Sequence, residues 1–444
     1  MAQQQLKRIL GKGFSIAACM GTIIGLGILR TPGEIAATVQ DPVIYMALWI
    51  GGGVMVLLSL AVAAELLATT PRSGGMYALI AHAYGPYPGF LIGWTDWIAN
   101  GASGALKSVV LMEYLALINP EFRPYITEGA VLISTCFAAL QLGGVRLGGG
   151  VYQVAAAGVG VIILVIVGAI FYAGPAAGLS DAIVSPTADP VGIAAYGMVV
   201  ASIVFTYDGW MGASYFGGEI RGGGRVAALG SIRGVLIVIF LYVILNLALV
   251  LNLPLSSLGG HDLALAGALE ILFGPVAGLM IVWFAVFILL AHHNVQYMLG
   301  TRILYALSVD DLGTGRATTV SEKGTPTGSL LFNWILMIAL ILVGGFGFLL
   351  NMATLLFIVM YVAVMVGVFR LRRQEPDIER PYEAWGFPVT GVICAVFWTA
   401  IALFIALTDL RSSAYSLGLV AISIPAFLWL KFSRHLGESV AKED

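Results

Sequence analysis

Charge is what this chain has least of. Only 10% of its 444 residues are Asp, Glu, Lys or Arg, where a soluble domain carries about 25%. With 59% hydrophobic residues and a mean hydropathy of +0.95, that scarcity excludes a soluble globular domain and a disordered chain alike, and leaves a polytopic membrane protein. Cysteine is almost absent. Cys19, Cys136 and Cys394 are an odd number and each lies in an apolar stretch, so they read as packing residues rather than disulfide partners or metal ligands. His292 and His293 are adjacent, but with no carboxylate or thiol close by they make a poor metal site. The net charge of −2 gives no footing for a nucleic-acid partner. Low-complexity segments and a separate soluble domain are lacking too, and no cofactor or metal is called for.

What is there is a series of apolar segments delimited by Pro, Gly and charge clusters. About twelve are long enough to span a bilayer: roughly 14–38, 42–68, 86–117, 126–143, 150–173, 191–217, 226–253, 275–309, 327–345, 347–371, 386–408 and 412–432. The stretch ahead of them, Met1 to Lys12, is short, polar and basic, and the apolar run behind it is too long for a signal-peptide core. With a cytoplasmic N-terminus and twelve crossings, eighteen Lys and Arg fall on the inner side and two, Arg123 and Arg411, on the outer. Arg30 and Lys107 remain inside spans. That asymmetry satisfies the positive-inside rule and predicts both termini in the cytoplasm.

Two spans interrupt themselves. The first carries Gly21, Gly25 and Gly27 at mid-membrane depth, then Arg30 and Pro32. The sixth carries Asp208-Gly209, a turn signal, followed by Gly212, Gly217 and Gly218. Unwound backbone within a bilayer is tolerated where it lines a polar cavity. Breaks five spans apart, at matching positions of two halves, are the pattern of a transporter built from five-helix inverted repeats with its site near the midplane. The expected organisation is one all-α transmembrane domain over 1–444: repeat one about 14–173, repeat two about 191–371, and two further helices at about 386–432.

Several segments resemble one family. Gly21-Thr22-Ile23-Ile24-Gly25-Leu26-Gly27-Ile28-Leu29 resembles the first-helix motif of amino acid–polyamine–organocation permeases, closest to their L-type amino-acid transporter branch. Pro71-Arg72-Ser73-Gly74-Gly75-Met76-Tyr77 resembles the loop after helix 2, and Phe205-Thr206-Tyr207-Asp208-Gly209-Trp210 the unwound part of helix 6. Asn294 with Gly300-Thr301-Arg302-Ile303-Leu304-Tyr305 resembles the end of helix 8, and the run Arg380 to Pro388 the loop before helix 11. The resemblance implies the leucine-transporter fold, with discontinuous helices 1 and 6, and transport of amino acids or related amines by alternating access. It also implies a site. The backbone amides of Gly25, Leu26 and Gly27 would face the substrate carboxylate, in keeping with the donors and positive dipole end of a half-helix. Carbonyls of Ile23, Phe205 and Asp208 would receive the ammonium, and Phe205 would be the lid toward the outer face.

The sequence departs from these relatives in three ways. Leu26 stands where a small polar residue is common. Gly160, seven residues after Gln153, stands where relatives often carry a helix-5 lysine that is thought to replace a sodium ion. Ionisable groups occur in unexpected places, and inside a membrane such groups default to functional hypotheses. Lys107 replaces the missing lysine or meets a substrate carboxylate; otherwise it pairs with a carboxylate such as Glu113. At most one of His292 and His293 faces the bundle centre, since neighbours on a helix diverge by about 100°. Arg30 sits four residues before Glu34 and is a candidate for an outer gate or a simple ion pair.

The conclusion is a secondary transporter of amino acids, exchanger or symporter, in a bacterial-type inner membrane. Leu26, Met211 and Phe205 make an apolar surround that favours a neutral substrate. The alternative is a cationic amino-acid or polyamine antiporter in which Asp208 binds the second positive group. Sodium sites need several oxygen ligands, and Ala291 to Asn294 is poor in hydroxyls. Sodium-independent transport with proton coupling, through a histidine titrating near its ordinary value, is therefore expected. An enzyme would need clustered catalytic residues and a channel rings of carbonyls or charges; neither is evident.

Overall fold

The computed structural model describes residues 10–72, 74–142, 148–175, 192–259, 263–321 and 325–440. Ser73 and the basic residues Lys7, Arg8, Arg146, Lys323 and Lys442, used above, lie outside them. The described residues are helical nearly throughout, as a bilayer requires of backbone that must satisfy its own polar groups. Among the described residues, eight helices are long and apolar enough to cross a membrane, or nine when the first bent pair counts as one.

The first span is two helices, α1 (Lys12–Ile23) and α2 (Leu26–Thr38), bent by 42° at Ile24 and Gly25. Then come α3 (Pro42–Thr69), α4 (Gly75–Tyr84), α5 (Pro86–Ile118), α6 (Ile126–Gln141) and α7 (Gly148–Ala173). The sixth span is also broken: α8 (Ile193–Thr206) ends in a turn, and a 3-10 helix, Gly212–Glu219, follows. The chain continues as α9 (Gly223–Asn252), α10 (Leu255–Leu258), α11 (Ala264–Phe273), α12 (Pro275–Val309), α13 (Thr327–Val343), α14 (Phe346–Gln374), α15 (Val389–Thr408) and α16 (Leu410–Val440). Both expected breaks are present. The sequence reading missed α4 and α11, whose ten residues are too few to span and whose composition resembles that of the spans beside them.

These two short helices are built alike. Each runs into a glycine-proline pair that opens the next long helix: Gly85-Pro86 before α5 and Gly274-Pro275 before α12. The glycines share one backbone conformation, φ 88° and ψ −175° at Gly85, φ 87° and ψ 175° at Gly274. Only glycine reaches that region at no steric cost, and proline at the first helical position needs no N–H partner. The corner therefore recurs where the repeat reading places helices 3 and 8.

The core lies between the long helices. Helix α12 packs along α5, α9 against α1 and α3, and α14 against α5 and α15. Cys19 and Cys394 are buried, as expected of packing residues, but Cys136 is exposed. It shares a face of α6 with exposed Leu132 and Leu140, at helical spacings of four, on the side turned away from the bundle. At one end of α3, Glu65 is 1% exposed. Its carboxylate accepts from Arg372 Nε (2.8 Å) and Nη2 (2.6 Å) and from the Ala384 amide (2.7 Å), with Arg380 Nε at 3.4 Å.

Candidate functional site

The two breaks are stitched to each other. Ile24 ends α1 while its N–H still donates to Met20 O at 2.8 Å. Gly25 then opens α2 without a side-chain cap, which leaves the first amides of α2 uncapped by side chain. At the second break Asp208 N–H donates to Phe205 O (3.2 Å) and Gly212 N–H to Gly209 O (2.8 Å). Gly209 has φ +97°, and a Cβ there would fall 2.5 Å from the Thr22 carbonyl oxygen, so both conformation and space demand glycine. The Thr22 hydroxyl stands 2.7 Å from Gly209 O, and Cys19 Sγ donates to Trp210 O at 3.0 Å. Gly27 makes a second joint: a Cβ on it would lie 2.6 Å from Thr206 Cα, and one turn further on the Thr31 and Thr206 hydroxyls share a 2.7 Å hydrogen bond.

A cavity of about 40 Å³ lies between the breaks, room for a few waters and less than an amino acid fills. Ile23 and Gly27 face it from the first break, Phe205 and Asp208 from the second, Lys107 from α5 and His292 from α12. Six of the ten residues singled out by sequence thus meet on one space. Gly25 stands next to the His292 ring, and Leu26 follows it in the backbone of α2. Two lie elsewhere. Gly160 packs toward Met20 and Leu241. Arg30 donates to Glu34 (3.0 Å) and Glu113 (2.7 Å) and covers the Phe346 ring at 3.5 Å. Glu113 is therefore Arg30's partner, and the alternative of a Lys107–Glu113 pair falls away.

Two expected ammonium acceptors are already engaged. Ile23 O accepts from Tyr242 OH at 3.1 Å, and Phe205 O accepts the Asp208 amide. The Asp208 side chain takes a hydrogen bond from Tyr361 OH.

Apolar Met76, Phe205, Met211, Leu299 and Phe357 line the cavity, and the wall opposite the breaks adds a row of polar side chains. Lys107 Nζ donates to Gln296 Oε1 (2.6 Å) and Ser103 Oγ (3.0 Å). Gln296 Nε2 donates to Asn100 Oδ1 (2.5 Å), Asn100 Nδ2 to Asp96 Oδ1 (2.7 Å), and Tyr215 OH to the same oxygen (2.9 Å). All these residues are buried. Asp96, Asn100, Ser103, Gln296 and the α14 rings Phe357 and Tyr361 were missed by sequence. A signal for the first three exists: with Lys107 they recur at spacings of four, three and four, one face of α5.

His292 and His293 divide as helix geometry requires. His292 lines the cavity; His293 is hydrogen-bonded to Ser108 Oγ (3.3 Å) and packs edge-on to Phe137 and Tyr297. They are 9% and 1% exposed.

A bundle that is helical nearly throughout its described residues, with two interrupted spans meeting at one cavity that carries both apolar and polar side chains, is the architecture of a membrane carrier. Residues 14–425 match the amino acid permease family. The chain belongs to that family. It is an all-α multi-pass permease of the amino acid–polyamine–organocation superfamily with the leucine-transporter fold, and not an enzyme. Among similar proteins is the serine/threonine exchanger SteT of Bacillus subtilis (strain 168), 24% identical over 96% of this chain and 97% of the relative. The b(0,+)-type amino acid transporter 1 of Mus musculus is 26% identical over 88% of this permease and 82% of its own length. The large neutral amino acids transporter small subunit 2 of Rattus norvegicus is 22% identical over 97% and 82%. This permease therefore aligns with exchangers and transporters of amino acids along nearly their whole length.

Proposed function

We propose that this permease is a sodium-independent exchanger of neutral amino acids in a bacterial inner membrane, with both termini cytoplasmic, twelve crossings and two inverted five-helix repeats. The observation that carries the reading is the cavity itself, placed between the uncapped start of α2 and the Asp208 turn, with the Lys107 amine in its wall. A cationic side chain would meet Lys107 head-on, and Asp208, which would have to receive it, is already hydrogen-bonded to Tyr361. Both facts favour neutral over cationic substrates. The name of the SteT relative favours exchange. The matched corners before α5 and α12 support the repeats, and the Lys and Arg asymmetry supports the orientation.

The test is uptake of labelled serine, leucine and arginine into proteoliposomes. Serine or leucine uptake that requires internal amino acid and ignores Na⁺ is the expected result. Arginine as the preferred solute, or strong stimulation by Na⁺, would overturn the reading. Uptake driven by an inward proton gradient into empty vesicles would replace exchange with proton coupling.

Phe205 is half-buried on the cavity wall at the end of α8, and we propose it as the lid. Phe205→Ala removes apolar burial on the order of 1.5–3 kcal/mol, so weaker substrate binding and a measurable leak are expected. Unchanged affinity together with a tight vesicle would show that another side chain closes the site.

A further inference from the structure

One polar atom at the cavity has no partner, and its position is informative. His292 reaches the first break from α12. Its ring lies beside the backbone of Thr22, yet Nδ1 is buried and makes no hydrogen bond to any described residue. The Nδ1–Cε1 edge points at Gly25: a Cβ on that glycine would fall within 2.5 Å of Cε1 and closer still to Nδ1. Gly25 is the residue ahead of the uncapped first turn of α2. An imidazole nitrogen without a partner therefore sits against the place where this thirteen-residue helix presents its free amides and positive dipole end.

Burying such a nitrogen unpaired costs free energy unless something comes to pair with it. Three features fix the character of that something. It must be an acceptor, because the amides of α2 on one side are donors. It must approach from the cavity side of the ring, because the Gly25 side has no space even for a methyl group. It gains from negative charge, because the helix start is the positive end of the α2 dipole, and Lys107 adds an amine donor in the wall of the same cavity. A carboxylate meets all three conditions. We propose that His292 is a direct ligand of the substrate carboxylate, its Nδ1–H joining the backbone amides at the start of α2. The anion is then held by two elements, α2 and α12, rather than by the first break alone. The proposal rests on the amino-acid reading given above. It also supplies a reason for glycine at 25 that differs from backbone freedom: the residue must leave room for a ring.

The experiment compares two ligands in purified protein, a neutral amino acid and its carboxamide, which keeps the ammonium and side chain but lacks the anion. The variants are His292→Leu, which keeps bulk without a donor, and His292→Asn, which keeps a donor. Loss of one hydrogen bond to a charged group predicts a roughly ten- to hundredfold weaker affinity of His292→Leu for the acid. The carboxamide should change far less, and His292→Asn should recover much of the loss. Equal losses for acid and carboxamide would assign His292 a purely structural part and overturn the proposal. So would a His292→Leu protein that still prefers the acid as wild type does, or a His292→Asn protein no better than His292→Leu. A wild-type protein that binds no amino acid, or does not distinguish acid from carboxamide, would instead overturn the reading of the site on which the proposal stands.

Discussion

Gly27→Val is expected to abolish substrate binding in a protein that still folds. At position 27 there is no room for a Cβ: it would lie 2.6 Å from Thr206 Cα, against backbone that cannot swing aside. A branched side chain would push α2 away from the end of α8 and part the hydroxyls of Thr31 and Thr206, now 2.7 Å apart. The amides at the start of α2 and the Phe205–Asp208 segment would then no longer face one another across the cavity. Displacements of the order of 1 Å in such positioning cost about a hundredfold, and valine demands at least that. The measurement is equilibrium binding by a monodisperse variant of normal thermal stability. Affinity equal to wild type would remove Gly27 and the joint it forms from the site.

The largest stability effect is expected at Glu65, far from the cavity. This carboxylate is 1% exposed and serves Arg372, Arg380 and the Ala384 amide together. Removing one partner from a buried ion pair costs about 3–5 kcal/mol, because the other charge is left uncompensated. Glu65→Ala should therefore melt several degrees lower in detergent. Glu65→Gln should fall between the two, since its carbonyl can still accept the Ala384 N–H. Ligand affinity measured well below the melting temperature should change little. An unaltered melting curve for Glu65→Ala would mean that the segment 375–388 is anchored by other contacts.

Much of the fold was legible in the sequence because membranes constrain backbone so strongly. Both breaks were visible from residues that helices avoid, the glycines of the first span and Asp208-Gly209 in the sixth, and both occur there. Ile23, Gly27, Phe205 and Asp208 were reached through the resemblance, and Lys107 and His292 as ionisable residues inside spans; all six meet at the cavity. The residues facing them were not. Asn100 and Ser103 carry no charge and look like ordinary tolerated polar groups until Gln296, 196 residues beyond Asn100, is seen hydrogen-bonding across to α5. Arg30 was matched with Glu34 because the spacing along one helix is readable. Its second partner, Glu113, belongs to another helix and left no periodic trace. The carbonyls of Ile23 and Phe205, which a break frees on paper, each accept one hydrogen bond in the fold, from Tyr242 and from the Asp208 amide, and each oxygen has a second lone pair.

The bonds that join Cys19 to Trp210 and Thr22 to Gly209, with the tight seat of Gly27 on Thr206, bear on how faithfully this permease counts its cargo. Two doors on separate hinges have four combined positions, one of them open at both ends. A seesaw on one fulcrum has two. Because each half of the first broken span is fastened to the second, the pair is built as the seesaw, and an exchanger of the proposed kind would lack the doubly open position. Solute would then cross only as the passenger of a full stroke, and the ratio of leak to turnover would depend on whether that fulcrum holds.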